Sequence, residues 1–145
     1  MEATVLGPNQ GERIGGPTTV TIKATGEETH GSFYLGETVI GPGFPGPPPH
    51  RHRQLHDMFY VLDGSLTMRL GAATLELEPG SFVCVPPGVV HTFSNPSDTP
   101  VRFLNFNTPA GWEHYMRDLA AVLASGTPTR EQIGQIASRY DFEVA

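Results

Sequence analysis

His50 and His52 stand one residue apart at the end of a stiff run, Gly41-Pro-Gly-Phe-Pro-Gly-Pro-Pro-Pro49. Proline fixes φ and removes backbone donors, so the chain arrives extended, and side chains two apart in extended backbone share a face. Two imidazoles on one face are half of a site for a borderline cation: Fe, Ni, Mn, Cu or Zn. Asp57 follows closely enough to supply an oxygen ligand, and His56 stands beside it. Alternation sends neighbouring side chains to opposite faces, so Asp57 and His56 are alternatives. A second stretch, Gly80, Pro86, Gly88, His91 and Asn95, brings a third imidazole within a G-x5-P-x-G-x2-H-x3-N pattern.

Such residues need rigid elements to hold them. Val20, Ile22 and Ala24 alternate with Thr21 and Lys23, the period of a half-buried strand. Further strands are expected at 32–40, 58–62, 66–70, 74–77, 81–85, 90–94 and 101–107, separated by Asp63-Gly64, Gly71, Pro79-Gly80, Pro86-Pro87-Gly88 and Asn95-Pro96. Asp63-Gly64 reads as a hairpin turn. Many short antiparallel strands predict an all-β sandwich or barrel. After Thr108 the period changes: Trp112, Tyr115, Met116, Leu119 and Leu123 recur at helical spacing. Thr108-Pro109 and Thr127-Pro128 read as starts of two helices packed outside the barrel. Trp112 reads as a packing residue. Residues 1–18 are expected to form an extended arm, 19–108 the barrel and 109–145 a helical tail.

The paired stretches resemble the two motifs of the cupin family, G-x5-H-x-H-x3,4-E-x6-G and G-x5-P-x-G-x2-H-x3-N. Overall the chain looks like the small single-domain bacterial cupins of the cupin-2, quercetin-dioxygenase-like type. That resemblance implies a cupin jelly-roll barrel (a double-stranded β-helix) with His50, His52 and His91 on one divalent transition metal. The chain departs from the pattern at the fourth ligand, where Asp57 or His56 replaces the family's Glu. Asp57 keeps the family's spacing to Gly64. Phe59 and Val61 share the parity of Asp57, and Phe93 that of His91. With Phe44 and Phe103 they are the expected pocket walls, suited to an aromatic or polyketide-like small molecule. The expected activity is that of a metal-dependent dioxygenase on a phenolic or enolisable compound, a flavonol or 1,3-diketone. Asp57 is ligand and candidate base. A polyketide cyclase or isomerase, or a small-molecule-binding cupin without catalysis, are the alternatives. Cupins are commonly dimers, and a homodimer is expected.

Bulk properties narrow the field. The 145 residues fit one domain. A net charge of −6, with scattered Lys and Arg, argues against a nucleic-acid partner. No apolar run reaches the ~18 residues of a membrane span. No leader-like segment is recognised, and the single cysteine, Cys84, fits a reducing compartment, so the cytoplasm is the expected location. Cys84 is expected as an inert core thiol. His30 and His114 are expected at the surface or in packing.

Overall fold

The computed structural model describes residues 2–15 and 18–145; Met1, Gly16 and Pro17, all within the expected arm, lie outside the described residues. Among the described residues, eleven strands and three helices follow one another. The strands are β1 (Glu12–Ile14), β2 (Thr18–Ala24), β3 (Tyr34–Ile40), β4 (His50–Arg51), β5 (His56–Asp63), β6 (Leu66–Leu70), β7 (Ala73–Leu77), β8 (Phe82–Val85), β9 (His91–Ser94), β10 (Val101–Thr108) and β11 (Glu143–Val144). The helices are α1 (Gly26–Thr29), α2 (Trp112–Leu123) and α3 (Arg130–Ala137). One sheet has the order β1-β2-β3-β10-β5-β8 and the other β11-β4-β9-β6-β7. All pairings are antiparallel, and the two sheets form a jelly roll.

Alternation decides which side chains enter the barrel. In β5, Asp57, Phe59 and Val61 are buried while His56 and Tyr60 are exposed. In β8, Val85 is buried, and Phe82 and Cys84 are exposed. The thiol expected in the core therefore points outward, on an edge strand. His30 and His114 are exposed.

One turn differs from its sequence reading. Asp63-Gly64 does not close a hairpin, because β5 and β6 belong to different sheets. The chain crosses there between layers. Gly64 has φ +79, and a Cβ on it would lie 2.7 Å from the Pro100 carbonyl oxygen, so the crossing needs glycine. A true hairpin joins β6 to β7, with Leu70 opposite Ala73. The helix starts also shift. Thr108 ends β10, and α2 begins at Trp112, where the Glu113 carboxylate accepts from Gly111 N and Gly26 N at 2.6 Å each. Thr129, not Thr127, caps α3, because Gln132 completes a reciprocal capping box with it.

Two apolar clusters result. Ile40, Phe59, Val61, Leu66, Met68, Val85, Val101 and Phe103 fill the barrel floor. Ile14, Val20, Ile22 and Tyr34 meet Tyr115, Met116, Ile136, Ala137 and Phe142 at the other end. There α2, α3 and the C-terminal segment pack over the barrel mouth. No helix among the described residues is long and apolar enough to cross a membrane.

Candidate metal centre

The two sheets meet around four inward side chains. His50 on β4 stands directly opposite His91 on β9. His52 follows β4, and Asp57 enters from β5 in the other sheet. One ligand atom from each of His50, His52, Asp57 and His91 lies within 4.8 Å of the others, and all four residues are buried. The proline run delivers the first two: Gly46, at φ +84, would place a Cβ 1.9 Å from the Phe93 carbonyl oxygen, so only glycine lets this segment pass against β9. The second stretch locks onto the first through a Gly88 N–H donated to the His52 carbonyl at 2.8 Å. Asn95, fully buried, donates to the carbonyls of Gly41 and Thr99 and accepts from Ser97, so it ties loops together behind the site.

Main-chain carbonyls set the imidazole tautomers. His50 Nδ1 donates to Pro48 O at 2.8 Å, His91 Nδ1 to Val89 O at 2.9 Å, and His52 Nδ1 to Asp141 O. A carbonyl only accepts, so each Nδ1 carries the proton and each neutral ring keeps its lone pair on Nε2. His91 Nε2 lies 3.0 Å and His52 Nε2 3.4 Å from Asp57 Oδ2. The His52 Nε2 is buried without a hydrogen-bond partner among the described residues. Lone pairs facing a carboxylate at these distances require a cation among them, a proton or a metal. The donor set, three imidazoles and one carboxylate, fits a divalent metal site.

Electrostatics agree with this. Burial, and then the neighbouring His91, push His50 down to about 3, so its ring is neutral at ordinary pH. Burial also works against the charged form of His52, but the nearby Asp57 carboxylate, and then the Asp141 carbonyl, outweigh it and raise its pKa. Burial would raise Asp57, yet His52 and His91 hold it well below the usual carboxylate range. Its Oδ1 accepts from Asn105 Nδ2 at 2.8 Å and Asn107 Nδ2 at 2.7 Å, which leaves Oδ2 for the histidines.

The site opens into a cavity of about 120 Å³. Phe44, Phe59, Phe93 and Phe103 line it. Val61 does not; it is buried in the floor cluster. His56 lies on the outer face, so the structure does not bring it to the cluster. Sequence reasoning missed several groups: Tyr34, Asn105, Asn107, Trp112, Tyr115, Met116 and Phe142 also face the cavity. Tyr34, Asn107 and Asp57 are cross-strand neighbours on β3, β10 and β5. Parity along β10 could have marked Asn105 and Asn107, since both share a face with Phe103. Asn107 Oδ1 is buried with no partner among the described residues, because the Asp57 carboxylate holds its amide nitrogen on the other side. Trp112 packs as expected, and it also sets its ring edge-on to His52, centroids 5.7 Å apart.

Comparison with known proteins agrees with the geometry. The sequence profile described as Cupin_2, "Cupin domain", matches residues 36–107. Quercetin 2,3-dioxygenase of Bacillus subtilis is 28% identical over 116 residues, 79% of this chain. The chain spans only about a third (34%) of that curated relative's length. KdgF from Halomonas sp. superposes with a TM-score of 0.67 at 14% identity, covering 78% of this chain and 99% of that one. The polyketide cyclase RemF from Streptomyces resistomycificus gives 0.64 at 24% identity, covering 74% and 80%. At these identities the two structures speak for the fold.

Proposed function

Because the chain belongs to the cupins of the Cupin_2 type, we propose that it is a mononuclear metal-dependent enzyme, a dioxygenase acting on a phenolic or enolisable compound such as a flavonol or 1,3-diketone. One observation carries this reading: three imidazoles and one carboxylate converge beside a cavity whose other walls are mostly apolar and include eight aromatic side chains. The dioxygenase relative supports the choice of reaction.

His50, His52, His91 and Asp57 would hold the metal. When bound, it would supply open positions where an electron-rich substrate and dioxygen meet, or Lewis acidity toward a carbonyl. The chain's own residues do the rest. The phenylalanines exclude water and hold a flat ring. Burial raises the Tyr34 phenol, which therefore remains a donor. Asn107 Oδ1 offers an acceptor for a substrate hydroxyl. Asp57 is ionised and a weak base, so it suits ligation, and it accepts a hydrogen bond from an acidic hydroxyl more readily than it removes the proton.

Oxygen uptake by iron- or nickel-loaded protein, with quercetin or a 1,3-diketone, tests the proposal. Uptake matched by substrate loss is expected. Ring closure of a poly-β-ketone without oxygen uptake would instead indicate a cyclase. Saturable binding without turnover would indicate a binding protein. A homodimer in the cytoplasm completes the proposal; β8 is an edge strand with Phe82 60% exposed, available for pairing with a second copy. A monomeric mass by light scattering would refute the dimer.

A further inference from the structure

The strand that presents His50 and His52 is only two residues long, and on one side it pairs with β9 at a single position, His50 opposite His91. Its other side is held by the end of the chain. Val144 pairs with His50 and Glu143 with Arg51, and Ala145 N donates to Pro49 O at 2.9 Å. Just before this pairing, the Asp141 carboxylate accepts three consecutive main-chain N–H groups: Arg53 at 2.5 Å, and Gln54 and Leu55 at 2.8 Å each. These bonds fix residue 141 so that its own carbonyl receives the His52 Nδ1 proton. They also hold Asp141 below the usual carboxylate range, against the effect of its partial burial. Phe142 then stacks on the His50 ring, centroids 4.0 Å apart and planes 18° from parallel. All of these tail residues lie outside the stretch that matches the family, residues 36–107.

We propose that the segment 141–145 is a clasp in which Asp141 and Phe142 are positioning residues for the metal: Asp141 aims Nε2 of His52 into the site and Phe142 fixes the plane of His50. This rests on the metal reading of the site. Partners that orient a ligating imidazole commonly contribute about 10–100-fold in metal affinity. Linkage makes the effect reciprocal: whatever factor the docked clasp adds to metal affinity, bound metal adds to docking of the clasp.

Cobalt(II) titration of the full chain, followed by its ligand-field absorption, provides the test. Wild type is expected to bind one equivalent. Asp141→Ala is expected to bind about 10–100-fold more weakly and with an altered spectrum. Asp141→Asn keeps one acceptor oxygen and should recover part of both. Phe142→Leu retains apolar volume but not stacking, and should fall at the lower end of that range; it decides the matter if Asp141→Ala does not fold. Hydrogen exchange gives a second readout: cobalt should slow exchange at 53–55 and 141–145 in wild type, and less so in Asp141→Ala. Wild-type affinity and spectrum in both Asp141→Ala and Phe142→Leu would overturn the clasp alone, as would cobalt-insensitive exchange at 141–145. Failure of wild type itself to bind cobalt would overturn the metal reading and the clasp with it.

Discussion

The barrel floor and the barrel mouth are built differently. Every member of the floor cluster, from Ile40 to Phe103, lies within residues 36–107. Every member of the mouth cluster, from Ile14 to Phe142, lies outside them. The four candidate ligands belong to the first set of residues, and several groups that touch their rings belong to the second: Phe142 on His50, Trp112 and the Asp141 carbonyl on His52. Residues 36–107 thus supply the donors, the floor and part of the wall, while the flanking segments supply the rest of the wall and the orientation. The fold goes with the family. What enters the cavity depends on walls drawn from both sets of residues.

The sharpest way to break that division is His91→Ala. It removes a donor from the shared segment, and metal content by elemental analysis should fall to background; unchanged content would mean the donor set is wrong. Phe103→Ala strikes the floor and should cost about 3–5 kcal/mol in chemical denaturation. Met116→Ala strikes the mouth, beside a cavity already present. It should cost only about 2 kcal/mol, the lower end for such truncations, and, like Phe103→Ala, weaken flavonol affinity, since both side chains line the cavity. The reverse ranking would erase the contrast between the two regions.

A finer probe is acid. His50 is held down to about 3 against an ordinary value of 6.5. Between those values the unfolded chain binds a proton that the folded chain refuses, so stability falls as pH drops through the window. Asp57 acts in the same direction lower down: its depressed pKa contributes stability above the ordinary carboxylate value, lost as pH falls through the folded one. His52 acts oppositely: its raised pKa contributes below the ordinary histidine value, and is lost as pH rises through the folded one. The melting temperature of metal-free protein should therefore drop from about pH 6 toward pH 4, and His50→Gln should flatten that limb. The smallest effect expected is that of Glu143→Gln. It removes exposed ion pairs to Arg51 and Arg53 and should cost less than about 1 kcal/mol, leaving cobalt affinity unchanged. A large loss of affinity would move the clasp's action from Asp141 to surface charge.

Sequence reading reached the floor readily, because period-two alternation and glycine–proline turns are local signals. It located β6 at its observed bounds and most other barrel strands within a few residues. The cluster of His50, His52, Asp57 and His91 was legible through motif spacing, and the parity of Asp57 against His56 came from strand alternation. The mouth was not legible. Strands β4 and β11 have two residues each, too few for any period. The contact of His52 with Asp141 spans 89 positions, and an aspartate in a loop does not announce which amides it will cap. Trp112 and Tyr115 showed helical spacing, but spacing does not reveal which surface the helix meets. Cys84 misled because an apolar run looks buried on both faces, whereas an edge strand buries only one.

The three imidazoles lean on carbonyls of the main chain, at Pro48, Val89 and Asp141, and no side chain takes their protons. A point substitution can displace such a carbonyl but cannot replace it with a stronger acceptor. Asp57, by contrast, leans on two amide side chains, Asn105 and Asn107, either of which a single codon change can remove or charge. The site thus has supports that a single substitution can displace but not strengthen, and supports that one can remove or charge. Descendants that change their metal preference should carry the change at Asn105 and Asn107, and leave the histidines and their supports alone.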